Sequence, residues 1–179
     1  MKHKINPKNL ANVLFKVSDE NQCLKEVRLC LNFISKLVIS DSYFRMFVQS
    51  KKIASSQKSA ILNRILSESG HPLVNEVVSY LNGSEAISDL RYLSIHFNST
   101  YKKQKNILSV KATLAQDMSE NQIKSFRSLI ESVLGKNTEL SFDIDSSIIG
   151  GLKLRIENTF LDASIENKLK ALQTELLKK

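Results

Sequence analysis

The residue types that carry most enzyme chemistry are few in this chain, and their spacing suits none of it. His3, His71 and His96 fall on a terminus, a turn and a predicted helix, with no second ligand at the short spacings a metal site uses. Cys23 and Cys30 stand seven residues apart on one predicted helix. The rise between them is about 10.5 Å, beyond the ~7 Å Cα reach of a disulfide, so both are expected as free, packed thiols. Asp143 and Asp145 share a strand face but lack the third carboxylate that would favour a cation. Gly150-Gly151 is not followed by the Lys-Ser/Thr pair of a phosphate loop, and no Ser/His/Asp or Cys/His grouping has local support. The expectation is a non-catalytic chain with no metal and no cofactor.

What remains is charge and apolar surface. Of the formal +8, residues 1–105 carry 16 Lys+Arg against 8 Asp+Glu, while residues 106–179 carry 10 against 10. That imbalance marks two regions of different character and raises the alternative of a basic, helical nucleic-acid-binding protein. The basic residues, including Lys2, Lys4, Lys8, Lys51, Lys52, Lys58 and the Lys102-Lys103-Gln104-Lys105 group, are dispersed and are not interleaved with aromatics on strands, as single-strand binders tend to be. A solvated surface that also meets an acidic protein partner is the preferred reading. No apolar run approaches the ~18 residues of a membrane span. Met1 to Ile5 lack the apolar stretch of a secretory signal, so a cytoplasmic location is expected.

The elements that must position any site follow from periodicity. Leu10, Val13, Leu14 and Val17 mark a first helix. Leu24, Val27, Leu31, Ile34 and Val38 mark a second, Tyr43 to Val48 a short third, and Ala60, Ile61, Ile65 and Leu66 a fourth. Leu73, Val74, Val77, Val78 and Leu81 form a fifth, and Ala86, Leu90, Leu93, Phe97 and Tyr101 a sixth. Short loops between such helices predict an N-terminal six-helix bundle over 1–105, with the lysine-rich group as a linker. From Leu108 the period changes to two: Leu108, Val110, Ala112 and Leu114 alternate, as do Leu140, Phe142 and Ile144. Between them Ser119 and Gln122 make a capping box for a helix that Gly135 ends. Residues 106–179 are therefore expected as a mixed strand and helix domain. The fold class is mainly α with a small α+β part.

The last segment specifies a backbone shape. Gly150 and Gly151 are free to take positive φ and turn the chain sharply. Leu152, Leu154 and Ile156 then alternate with Lys153 and Arg155, and Asn158, which tolerates left-handed backbone, suits a tight reversal into Thr159-Phe160-Leu161. Ser164 can cap a helix carrying Ile165, Leu169, Leu172 and Leu176.

This run closely resembles the C-terminal signature of the delta subunit of F-type ATP synthases, whose mitochondrial counterpart is the oligomycin-sensitivity-conferring protein. The family pattern reads Asp-Pro-Ser-Leu-Ile-Gly-Gly, a strand with Arg-Ile, a Gly-Asp turn, and Asp-Gly-Ser before the last helix. Asp145, Ser147, Ile149, Gly150, Gly151, Arg155, Ile156, Asp162 and Ser164 occupy the matching places. Leu10 to Phe15 resembles the family's first helix, and Tyr43 to Val48 with Ile53 and Lys58 resembles its third and fourth. Leu10 and Lys51 stand where tyrosine and proline are usual. Ser146 replaces the signature proline, Glu157-Asn158 the Gly-Asp, and Ala163 a glycine.

The resemblance implies a non-catalytic stator subunit linking the catalytic head of an ATP synthase to its membrane proton-channel sector, peripheral on the cytoplasmic face of the bacterial inner membrane. It implies that the N-terminal bundle takes up the N-terminal helices of the alpha subunits and that the C-terminal domain contacts the b subunits of the peripheral stalk. Spare apolar residues for a helix-binding groove are expected at Leu10, Leu14, Val74, Val77 and Val78. Gly150 and Gly151 are expected to be structural.

Overall fold

The computed structural model describes residues 6–67 and 69–177; His3, Lys2 and Lys4 lie outside them. The chain is mainly helical with a four-stranded mixed sheet, and it divides into two compact units, one ending at Tyr101 and one beginning at Lys102.

Six helices precede the sheet, and local chemistry explains where three of them start. Helix α1 (Pro7–Glu20) begins with proline in its first turn, and the Asn6 side chain accepts the Lys8 N–H. Helix α2 (Leu24–Ser40) ends at Asp41, whose carboxylate accepts the N–H groups of Tyr43 and Phe44 and so opens α3 (Ser42–Gln49). After α4 (Ser55–Ile65), His71 Nδ1 accepts the Leu73 N–H ahead of α5 (Pro72–Tyr80). Helix α6 (Ala86–Gln104) closes the series. Val27, Leu31, Ile34, Leu62, Val74, Leu90, Leu93 and Phe97 are fully enclosed, with Phe15 meeting Phe97 edge-on at 5.3 Å.

Two apolar stripes differ from expectation. On α4 the residues that turn inward are Lys58, Ser59 and Leu62, followed by Leu66, whereas Ala60, Ile61 and Ile65 face solvent. A buried lysine lay at the centre of the stripe, and hydropathy alone moved the expected face by about a quarter of a turn. On α1, Ala11, Leu14 and Ser18 face inward and Val13 faces out. The lysine-rich group stands at the boundary of the two units but is helical at its start: Lys102 and Lys103 form the last turn of α6, where cations complement the helix dipole.

The second unit begins with a parallel βαβ crossover. Strand β1 (Ile107–Leu114) leads to α7 (Glu120–Leu134), which opens on the Ser119/Gln122 capping box and closes on left-handed Gly135. Strand β2 (Asn137–Ile144) returns parallel to β1, a pairing that needs a crossover such as α7. Strand β3 (Leu152–Ile156) then pairs antiparallel with β1, and β4 (Thr159–Asp162) antiparallel with β3, for the order β2-β1-β3-β4. Val110, Ala112, Leu114, Leu154 and Ile130 form the core, with Phe126, Leu134, Leu140 and Phe142 packed at its edge. Helix α8 (Ile165–Leu177) ends the described chain and has no buried residue.

The hairpin turn between β3 and β4 places Glu157, not Asn158, at positive φ (52°). Glu157 exchanges two bonds with Ser109 of β1, its N–H donating to the Ser109 carbonyl and its carboxylate accepting the Ser109 N–H, both at 3.1 Å. Those bonds offset a conformation that is costly for a side-chain residue.

Candidate functional site

The glycine signature is a joint where the end of β2, the start of β3 and the start of α8 meet. Asp145 accepts the Ser147 N–H at 2.9 Å, and Asp162 accepts the Ser164 N–H at 2.9 Å. The Ser147 and Ser164 hydrogen bonds hold these two carboxyls below their ordinary range. Gly150 accepts the Ile165 N–H, Leu152 accepts the Ala163 N–H, and the buried Ser164 hydroxyl accepts the Asn167 N–H to cap α8. Lys153 is the cation that Asp145, Asp162 and Glu166 all sense. In sequence it reads only as the polar side of a strand.

The two glycines are not equivalent. Gly151 has φ of +87°, and a Cβ there would lie 2.5 Å from the Ala163 carbonyl oxygen. Gly150 is not left-handed, and its added Cβ would meet the flexible tip of Ile165. The close backbone approach therefore belongs to Gly151 alone. Of the other signature residues, Arg155 sits away from the joint, its Nε donating to the Glu157 carbonyl at 3.3 Å. Ile149 faces solvent while its neighbour Ile148 is buried.

Lys58 is a structural cation. Only 1% exposed, it donates from Nζ to the carbonyls of Val48 at 2.7 Å and Leu81 at 3.1 Å. These carbonyls belong to the ends of α3 and α5, where backbone acceptors lack helical partners and the dipole is negative. Burial pushes the ammonium below its ordinary value of 10.5. Lys58 therefore contributes nothing to a basic surface for nucleic acid.

The expected groove set divides. Leu14, Val74 and Val78 are enclosed and act as core, so they cannot present a face to another chain. Leu10 and Val77 are half-buried. Apolar surface stands instead on residues outside that set: Val13 on α1, Tyr80 on α5, Tyr92 and Ile95 on α6. In the second unit the stripe of α8 is open, with Ile165 46%, Leu169 59%, Leu172 55% and Leu176 75% exposed.

The residues first considered for chemistry are engaged in packing or capping. Cys30 is buried, accepts the His71 N–H at 3.2 Å, and is pushed above the ordinary thiol range by burial; Cys23 is half-buried and free. His96 pairs with Asn12 at 2.9 Å. Asp143 pairs with Lys111 at 2.6 Å. Among the described residues no group of three His, Cys, Asp or Glu could hold a metal ion, and no helix is long and apolar enough to cross a membrane.

The family model described as ATP synthase delta (OSCP) subunit matches residues 8–176. The ATP synthase subunit delta of Fusobacterium nucleatum is 26% identical over 89% of this chain and 91% of its own length. That of Symbiobacterium thermophilum is 24% identical over 99% and 95%. The sodium-ion-specific ATP synthase subunit delta of Propionigenium modestum is 25% identical over 89% and 91%. A chain in the cryo-EM structure of the Toxoplasma gondii mitochondrial ATP synthase hexamer shares the fold, with a TM-score of 0.64 and 23% identity over 97% of this chain and 98% of that one.

Proposed function

Since the chain belongs to the ATP synthase delta (OSCP) subunit family and is a non-catalytic peripheral-stalk component of an F-type ATP synthase, we propose that its two units hold different partners. The first unit, acting as a six-helix bundle, receives the N-terminal helices of the alpha subunits at the catalytic head. The second contacts the b subunits of the stalk. The subunit sits peripherally on the cytoplasmic face of the bacterial inner membrane.

Mechanics gives the reason for such a part. A rotor turning inside the head exerts an equal and opposite torque on it, and an untethered head would rotate without useful work. The joint must outlast many turnovers. Nanomolar attachment corresponds to about 12 kcal/mol, more than exposed ion pairs supply at about 1 kcal/mol or less each. Apolar faces must carry it. The observation that supports this reading most is that each unit leaves apolar helix surface uncovered after completing its own core.

For the first unit the groove is placed on α1 and α5, which pack together, along the residues that remain accessible: Leu10, Val13, Val77 and Tyr80. Titration calorimetry with a synthetic alpha N-terminal peptide tests it. Val77→Glu is expected to weaken binding at least about tenfold, or ~1.4 kcal/mol, with the helical circular dichroism retained. Unchanged affinity overturns the groove. Affinity purification in mild detergent tests the whole reading, which fails if alpha and b subunits do not accompany the chain.

A further inference from the structure

The open stripe of α8 has a period that most surface helices lack. Ile165, Leu169, Leu172 and Leu176 follow one another by four, three and four, the d-a-d-a order of a heptad seam. The seam is narrow. Glu166 and Gln173 flank it on one side and Lys168 and Glu175 on the other, so it fits one further helix and not a broad apolar sheet. In this frame Lys168 and Glu175 occupy the two g positions, and Glu166 and Gln173 the two e positions. Among the described residues neither Lys168 nor Glu175 has an ion-pair partner, whereas Glu166 is engaged with Lys170.

We propose that free copies of this chain pair through α8, the two helices antiparallel about a twofold axis. The charges choose both the partner and the direction. In an antiparallel pair, Leu169 of one copy lies against Leu172 of the other and Ile165 against Leu176, which fills all four layers. The same alignment brings Lys168 of each copy to Glu175 of its partner, so the twofold generates two opposite-charge contacts at once. Glu166 then faces Gln173, without repulsion. A parallel pair would set Lys168 against Gln173, with no opposite charge to meet it. The interface is short, two heptads buried on one helix per copy, so it falls well below the ~1,200 Å² of stable complexes and describes a transient dimer. The pairing rests on the proposed stalk contact of the second unit only for its consequence: self-pairing covers the apolar seam until a stalk helix replaces the second copy.

Sedimentation velocity on the full chain alone, from about 5 to about 500 µM, tests the pairing. The expected result is a reversible shift from monomer toward dimer with a midpoint on the order of 100 µM. Leu172→Asp should remain monomeric throughout. Lys168→Glu, which places like charges at both g contacts, should weaken the dimer about tenfold, and adding Glu175→Lys should restore it to within about threefold. A monomer at the highest concentration overturns the proposal. So does a dimer that Leu172→Asp or Lys168→Glu leaves unchanged. No stalk subunit is present in this experiment, so a chain that binds b subunits without self-pairing, or self-pairs without binding them, refutes one reading and spares the other.

Discussion

Helices α6 and α8 carry apolar stripes of similar regularity and meet opposite fates. Ala86, Leu90, Leu93, Phe97 and Tyr101 on α6 are all buried in the first unit, while Ile165, Leu169, Leu172 and Leu176 on α8 all remain open in the second. In the first unit α6 meets α1 through Phe97 and Phe15 and α2 through Asn98 and Arg28. The second has one sheet, and α7 has already taken the face that holds its core. A stripe therefore states that something must cover it, not that the same chain does. For a subunit whose work is to join other subunits, the uncovered stripe is the more informative of the two.

Substitutions that act on one side of this contrast and not on the other will break or sharpen it. Phe97→Ala removes a fully enclosed ring from α6 and its edge-on contact with Phe15. It should lower stability by about 3–5 kcal/mol in urea denaturation followed by circular dichroism. In the second unit, Gly151→Val combines left-handed strain with a collision against the Ala163 carbonyl. A loss of about 2–4 kcal/mol is expected, with hydrogen exchange accelerated in β3 and β4.

Lys58→Met keeps most of the buried stem but leaves the Val48 and Leu81 carbonyls without their donor, and should cost about 2–3 kcal/mol near neutral pH. Its pH dependence has a definite sign. Because the folded-state value lies below 10.5, the unfolded chain binds more protons between that lowered value and 10.5, and stability rises with pH across the window. Lys58→Met should lose that rise relative to the parent.

Gly150→Ala meets only the end of Ile165 and should cost less than about 1 kcal/mol. If it costs as much as Gly151→Val, the distinction between the two glycines is wrong. The smallest effect belongs to α8, where Leu172→Asp should change stability by no more than about 0.5 kcal/mol. A large loss there would mean that α8 is part of the second unit's core after all.

Much of the fold was legible in the sequence. The stripes of α2 and α6, the alternation in β1 and β3, the capping box of α7 and its terminating glycine all came out as expected because each is a local pattern with a local cause. The misses share a different cause. On α4 the inward face contains a lysine, and only the two carbonyls it meets from α3 and α5 make that position tolerable. Leu14, Val74 and Val78 looked like spare apolar residues because a helix does not reveal how wide its neighbours make the core. Glu157 displaced Asn158 at the left-handed position through its bonds to Ser109, a residue 48 places away.

The sequence by itself determined which segments are helix and strand and which residue types stand at the glycine joint, since periodicity, caps and turn residues act over a few positions. Only the tertiary structure decided which stripe is covered and which is open, and which of two adjacent glycines must lack a side chain. It also decided that Lys58 is an anchor and not a surface charge. Those properties depend on the distance between residues far apart in the chain, which no local pattern encodes.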